Sequence, residues 1–157
     1  MKITASAKPW IFLISAILLS LGLASCGEPK DTHPGQPVTH RKLAFKQMIR
    51  TLEPMGLEVR GRKPFNAEFF LKSALALQVL AKKPWPYFTP DSNYPPTRAR
   101  PEVWQKMDKF KQDQGVLDQA IAKLVAAAKS GNLDTIRPVF AHVQDSCQSC
   151  HHEFRHS

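Results

Sequence analysis

The residues best suited to chemistry stand near the end of the chain, where two residues separate Cys147 from Cys150 and His151 follows at once. On a helix these positions are i, i+3 and i+4, so the three side chains project from one face. Two thiols and an imidazole in this order are typical of covalent c-type haem attachment. We therefore expect one haem c, bound through thioethers to Cys147 and Cys150, with His151 as proximal iron ligand.

Two other uses of a cysteine pair remain as alternatives. A thioredoxin-type redox disulfide needs a βαβ setting, and a structural zinc site needs a second pair of Cys or His ligands. The sequence shows neither setting, although His152 and His156 lie close by. The pattern favours haem over zinc or a disulfide.

The start of the chain has the features of an export signal. A basic segment precedes an apolar stretch over residues 10–23, which predicts that residues 1–25 are removed. An uncleaved anchor helix is the alternative. The run Leu23-Ala24-Ser25-Cys26 resembles a bacterial lipobox, whose cysteine is diacylated and becomes the first mature residue. Because Gly27 rather than Asp follows, we expect a periplasmic protein anchored to the outer membrane by lipid on Cys26.

Charge and cysteine count restrict the partners. The chain of 157 residues carries a formal charge of +9, which falls to +7 when residues 1–25, with two lysines and no acid, are lost. A basic surface suits nucleic acid, anionic lipid or an acidic redox partner, and export excludes nucleic acid. With Cys26 on lipid and two cysteines on haem, none of the 3 cysteines is left for a disulfide.

Hydrophobic periodicity predicts an all-α domain. Residues 26–39, rich in Pro and Gly, are expected to form a flexible tether, and residues 40–157 the haem domain. Apolar residues at three- and four-residue steps predict four helices, over residues 40–59, 66–82, 101–130 and 134–154. With no alternating strand pattern, the economical fold is an antiparallel four-helix bundle.

Local signals refine these helices. Pro54 is expected to kink the first, while Asn66 and Asp134 are the predicted N-caps of the second and fourth. The Pro-rich loop between the second and third helices contains Trp85 and Phe88, so we expect it to pack against the bundle.

In order and content these elements resemble the class II cytochromes c and, within that class, the cytochrome c′ family. The likeness covers about residues 38–156. It is carried by Arg41, Gly61, Pro84-Trp85, Phe88, Pro90, Pro101-Glu102-Val103-Trp104, Cys147-Gln148-Ser149-Cys150-His151 and Phe154-Arg155. Class I cytochromes c place the haem motif near the start of the domain instead.

The resemblance implies a role for several further residues. Phe45, four positions after Arg41, corresponds to the family position that faces the iron from the distal side. An apolar residue there implies a five-coordinate iron that admits nitric oxide or carbon monoxide. By resemblance Arg41 approaches the haem propionates, and Arg155 lies near the proximal side, one turn beyond His151. The alternative is Met48 as sixth ligand, one turn from Phe45.

The function implied by the resemblance is reversible nitric oxide binding with electron transfer, in periplasmic scavenging or resistance. A homodimer through the first two helices is expected from the family, and the redox partner is unknown. A dedicated electron carrier with Met48 on the iron is the second hypothesis. An enzyme, such as a peroxidase or nitric oxide reductase, is the third, and its weakness is that Phe45 cannot move a proton.

Overall fold

The computed structural model describes residues 29–156, and the predicted signal segment and Cys26 lie outside them. Five helices occur in this part of the chain: α1 (Pro37–Val59), α2 (Ala67–Leu80), α3 (Glu102–Gln105), α4 (Met107–Ala128) and α5 (Leu133–Phe154). A 3₁₀ turn, Trp85–Tyr87, lies in the loop between α2 and α3. No helix within residues 29–156 has the length and apolarity that a membrane span requires.

Helices α1, α2, α4 and α5 form the four-helix bundle. Neighbours along the chain pack together, α1 on α2 and α4 on α5, while α2 also packs on α4. Helix α1 packs more lightly on α5, which closes the bundle and leaves α1 diagonally opposite α4. The predicted fold class is therefore confirmed.

Helix α1 begins three residues earlier than predicted. Pro37 occupies the first turn, where its missing N–H costs nothing. Gln36 at the N-cap makes no side-chain capping bond, and Asp31 takes over this role: its Oδ2 accepts from the backbone N–H of Thr39 at 3.0 Å. Helix α1 continues through Pro54 as one element.

The predicted start of α2 is confirmed. The Asn66 side chain accepts from the backbone N–H of Phe69 at 2.9 Å, which satisfies one of the free donors of the first turn. The rings of Phe65 and Phe70 pack with their centroids 5.8 Å apart, on either side of this cap.

The single third helix predicted from Pro101 is wrong, because the chain leaves helical geometry at Lys106 (φ −121°, ψ 46°). Both backbone groups of Lys106 are still hydrogen-bonded: its N–H donates to the Glu102 carbonyl, and its carbonyl accepts from the Phe110 N–H. The break turns α3 toward the loop, where Trp104 Nε1 donates to the Thr89 carbonyl at 2.8 Å. The loop is thereby packed against the bundle, as expected.

The cap predicted for the fourth helix is also corrected. Asn132, rather than Asp134, has the extended backbone of an N-cap (φ −103°, ψ 115°). Its Oδ1 accepts from the Asp134 N–H at 2.9 Å, which places Asp134 in the first turn. Helix α5 then continues through Pro138 to the haem motif.

Two apolar clusters form the core. The main cluster joins α1, α2, α4 and α5 and includes the fully buried Phe70, Leu77, Ile121 and Phe140. The second cluster, around Val103, Phe110 and Phe154, lies where α3 meets α4 and α5. The backbone of residues 98–100 pairs with that of residues 154–156 and fixes the end of α5 against the loop.

Candidate haem site

Helix α5 brings the three motif residues to the boundary between the two clusters. Cys147 packs against the main cluster and Cys150 against the second, and both are half-buried. His151 is exposed on the polypeptide surface, on the same helical face. The two thiols therefore border apolar surroundings, while the imidazole on the same face is exposed.

These surroundings keep both thiols neutral. Burial raises the pKa of Cys147, and burial followed by the charge of Asp113 raises the pKa of Cys150 to about 12. Zinc binds thiolates, so such a site disfavours it, whereas an uncharged thioether suits the apolar environment. Within residues 29–156 no group of three His, Cys, Asp or Glu side chains is placed to hold a metal ion.

Phe45 lies in an aromatic wall, which we define as Phe45, Trp85, Phe88 and Phe110. The Phe45 centroid is 5.7 Å from Trp85 and 6.3 Å from Phe88. Phe110 from α4 packs on both loop rings, at 5.9 Å from Trp85 and 4.9 Å from Phe88. The wall thus joins α1, the loop and α4, and reaches the cluster against which Cys150 packs.

The wall contains one unpaired polar atom. Trp85 Nε1 is buried and has no hydrogen-bond partner within the described residues. A buried donor left unpaired costs about 1–3 kcal/mol, so this position favours a bound acceptor. A haem is a flat apolar macrocycle with carboxylate substituents. Its faces can pack on the aromatic rings of the wall, and its carboxylates are hydrogen-bond acceptors, so the residues present fit a haem.

Arg41 has a structural role that the sequence did not reveal. The side chain is buried, and its Nη1 donates to the Tyr87 carbonyl at 2.9 Å and to Ser92 Oγ at 2.7 Å. Its Nη2 donates to the Ser92 carbonyl at 2.8 Å and to Thr97 Oγ1 at 2.7 Å. A guanidinium has five N–H donors, so the loop takes four of them.

The same guanidinium also lies over aromatic rings. Its carbon is 4.6 Å from the Phe88 centroid and 5.6 Å from the Trp104 centroid. Arg41 therefore fastens the loop that carries half of the aromatic wall. Ser92 and Thr97, its loop partners, gave no signal in the sequence, because a serine and a threonine in a polar loop are unremarkable.

Arg155 lies on the other side of the motif. It is exposed and lines a cavity of about 550 Å³ with Arg100, Gln148, His151, His152 and His156. Partial desolvation of the imidazole by its neighbours, followed by the charge of Arg155, lowers the pKa of His151, which favours the neutral imidazole that an iron ligand must be. Arg155 is thus close enough to influence the predicted proximal ligand.

Met48, the alternative sixth ligand, is placed in the main core cluster and is only 4 % exposed. It follows Phe45 by three residues on α1, and the Phe45 ring packs on Trp85 and Phe88. The structure therefore places Phe45 and Cys147 against the main cluster, Cys150 against the second cluster, and Met48 inside the main cluster.

A helical bundle with two neutral thiols, an imidazole and an aromatic wall defines a c-type haem protein of the four-helix class. Residues 36–155 match the family model described as Cytochrome C'. The chain is 34% identical over 122 residues to cytochrome c′ of Alcaligenes xylosoxydans xylosoxydans, covering 78% of this chain and 94% of that one.

Solved structures agree with this match. The nitric oxide complex of a variant of cytochrome c prime from Alcaligenes xylosoxidans superposes with a TM-score of 0.75 at 33% identity, covering 82% of this chain and 99% of that chain. A carbon-monoxide-bound variant of the same cytochrome also gives 0.75 at 33% identity, covering 82% and 100%. The chain belongs to the cytochrome c′ family, whose periplasmic members bind one covalently attached c-type haem.

Proposed function

We propose that the mature protein is a lipid-anchored periplasmic cytochrome c′ that binds nitric oxide or carbon monoxide at a five-coordinate haem and exchanges electrons with a partner protein. The observation that carries this proposal is the position of Phe45. It enters the aromatic wall from α1 and offers no lone pair to a metal. With Phe45 on the distal side, the protein would supply no sixth ligand to the iron.

Each motif residue has a defined task in this proposal. Cys147 and Cys150 hold the haem covalently, and His151 supplies the proximal imidazole, kept neutral by its surroundings. The bound haem supplies the redox-active iron. Arg41 orders the loop through its two Nη atoms, and its fifth donor, the Nε–H, is the one that could bind a propionate. Arg155 lines the cavity on the proposed proximal side.

The aromatic wall explains why gas binding is favoured over enzymatic turnover. Its four side chains include no acid or base, so it has no group that moves a proton to a bound substrate. Small uncharged diatomic ligands need no such group. The relatives described above were solved with nitric oxide and carbon monoxide bound, which supports the same ligand class here.

The proposed anchor is diacylglycerol on Cys26, supported by the lipobox-like sequence at residues 23–26. A stable lipid attachment would keep the haem domain at a membrane, with the outer membrane as the proposed address. The intact mass of the mature protein tests this directly. A mass that begins at Cys26 and includes a diacylglyceryl group supports the anchor, and an unmodified chain refutes it.

The proposed homodimer is supported by large apolar side chains exposed on α1 and α2. Ile49 on α1 is 51% exposed, and Leu75 and Val79 on α2 are 44% and 64% exposed. A second copy of this surface would bury them by two-fold symmetry.

The absorption spectrum of the purified haem protein tests the proposed function. We expect a high-spin ferrous spectrum that shifts on addition of carbon monoxide or nitric oxide. A low-spin spectrum indifferent to both gases would contradict the five-coordinate site. It would support the second candidate, an electron carrier with Met48 on the iron, one turn from the aromatic wall.

A further inference from the structure

Asp31 fastens the segment before α1 to the haem domain. Its side chain is buried, and Oδ1 accepts from the Tyr94 hydroxyl at 2.9 Å and from the His33 N–H at 3.2 Å. Its Oδ2 accepts from the Thr39 N–H. The ring of His33 also stacks on Tyr94, with centroids 3.4 Å apart and planes inclined by 17°. We call this set, Asp31, His33, Thr39 and Tyr94, the N-terminal clamp.

The clamp shortens the tether that the sequence predicted. With a flexible chain up to residue 39, Cys26 would range over about 45 Å from the domain, at roughly 3.5 Å per extended residue. With Asp31 fixed, only residues 27–30 intervene, and Cys26 stays within about 18 Å of Asp31. A lipid on Cys26 is therefore held close to one particular end of the bundle.

That end is the one that carries the haem site. Tyr94 belongs to the loop that Arg41 fastens, and the backbone N–H of His156, just after α5, bonds to the Arg98 carbonyl of the same loop. The opposite end holds the turns between α1 and α2 and between α4 and α5. There Arg137 Nη1 of α5 donates to the Val59 carbonyl at the end of α1.

The surface beside the clamp has the chemistry of a membrane-contacting patch. A cavity of about 650 Å³ opens there, and its lining includes the cationic Lys30 and the half-exposed Leu43. Two prolines, Pro29 and Pro96, add further apolar surface. Lysines pair with anionic headgroups, and an apolar side chain beside them enters the interface.

We propose that this clamp-side surface is the face on which the protein rests against an anionic lipid bilayer, with the haem end of the bundle toward the membrane. The inference rests on the lipid anchor proposed above and adds to it a fixed orientation. Electron exchange would then take place close to the membrane surface, which selects a membrane-associated partner over one that diffuses freely in the periplasm.

The orientation is testable by lysine acetylation of the full-length, lipidated holoprotein added to preformed phosphatidylethanolamine–phosphatidylglycerol vesicles. The acetylation rates of Lys30 and Lys42 are compared by mass spectrometry with those of Lys63 and Lys129, at the opposite end. We expect the first pair to react about five-fold more slowly on vesicles than in detergent, a factor equivalent to ~1 kcal/mol for a lysine near an anionic surface. The second pair should not change.

Variants separate the clamp from the lipid. Asp31→Ala should abolish the difference between the two lysine pairs while the protein stays on the vesicles, and Tyr94→Phe should reduce it. Asp134→Ala, an exposed acid at the opposite end, is the matched control and should leave the difference intact. If Asp31→Ala does not incorporate haem, as judged by the Soret absorbance, Tyr94→Phe decides the matter alone.

The outcomes distinguish this inference from the anchor itself. An intact mass without diacylglycerol on Cys26 refutes the anchor, and the orientation with it. A lipidated protein whose four lysines react alike refutes only the orientation. The same conclusion follows if the clamp variants that take up haem keep the full protection of Lys30 and Lys42.

Discussion

Arg41 and Ser92 are joined by two hydrogen bonds across 51 positions of the chain, Nη1 to Oγ at 2.7 Å and Nη2 to the carbonyl oxygen at 2.8 Å. Ser92 is fully buried, and its own hydroxyl donates to the Thr89 carbonyl at 2.8 Å. A buried residue of α1 thereby helps to determine the path of the loop that supplies Trp85 and Phe88. The aromatic wall therefore depends on this polar pair as well as on apolar packing.

Replacing Arg41 by Lys should loosen that loop. A lysine ammonium cannot span the four acceptors that both Nη atoms reach, and hydrogen bonds from a charged donor are worth about 1.5–3 kcal/mol each. We expect the free energy of unfolding in urea to fall by about 2–4 kcal/mol. Carbon monoxide should also bind faster, because Phe88 is less firmly held. Arg50→Lys, at an exposed position of the same helix, is the control.

A double-mutant cycle with Ser92→Ala shows how Arg41 acts. If Arg41 acts through the loop, its substitution should cost less in the Ser92→Ala background, because the bond from Nη1 to Ser92 Oγ is already absent there. Strict additivity, together with a shifted haem reduction potential in Arg41→Lys alone, would assign Arg41 to a propionate instead.

Phe45→Met should convert the iron to six-coordination. A thioether at this position offers the lone pair that the phenyl ring lacks. We expect a low-spin ferrous spectrum and carbon monoxide binding slowed by at least about tenfold, since displacing a bond worth ~1.4 kcal/mol already costs that factor. Met48→Leu is the matched variant and should leave the spectrum unchanged. A native protein that is low-spin and becomes high-spin in Met48→Leu would show instead that Met48 is the sixth ligand.

The sequence predicted the four long helices and the haem motif because both depend on local spacing. It failed where the deciding contact is distant along the chain. Lys106 breaks the third helix while its Nζ pairs with Glu153 of α5 at 2.9 Å, and Asp31 acts as a cap from outside the helix. Neither contact leaves a pattern in neighbouring residues. Arg41 was found only by resemblance, and its loop partners were not found at all.

The corrected cap of α5 gives a stability prediction. Asn132→Ala removes the acceptor for the Asp134 N–H and should lower the free energy of unfolding by about 1 kcal/mol. Asp134→Ala removes a favourable charge in the first turn and an exposed ion pair with Arg137, and the loss should be about half as large. Urea unfolding of the holoprotein measures both. A larger loss of unfolding free energy in Asp134→Ala than in Asn132→Ala would show that Asp134 is the N-cap in solution.

The proposed dimer predicts a position-specific effect of charge. Leu75→Glu combined with Val79→Glu places two carboxylates on one face of α2 and should shift the protein to monomer, because like charges would meet across a two-fold interface. Val116→Glu on α4, whose side chain is 49% exposed, is the control and should remain dimeric. Sedimentation equilibrium gives the mass. An unchanged mass in the double variant would exclude this face of α2.

The N-terminal clamp should be stable only within a range of pH. Burial of Asp31 opposes its ionisation, but the hydrogen bonds from Thr39, Tyr94 and His33 outweigh it and lower its pKa below the ordinary 3.8. Its contribution to stability is therefore present above pH 3.8 and is lost as the pH falls through the lower, folded-state value. Burial, and then the hydrogen bond and charge of Asp31, raise the pKa of Tyr94 above 10.0, so its contribution is present below pH 10.0 and is lost at higher pH. In a Tyr87→Phe background, tyrosinate absorbance reports Tyr94 alone, and adding Asp31→Asn should lower its pKa toward the ordinary value. A Tyr94 titration unaffected by Asp31→Asn would show that the two side chains are not paired in solution.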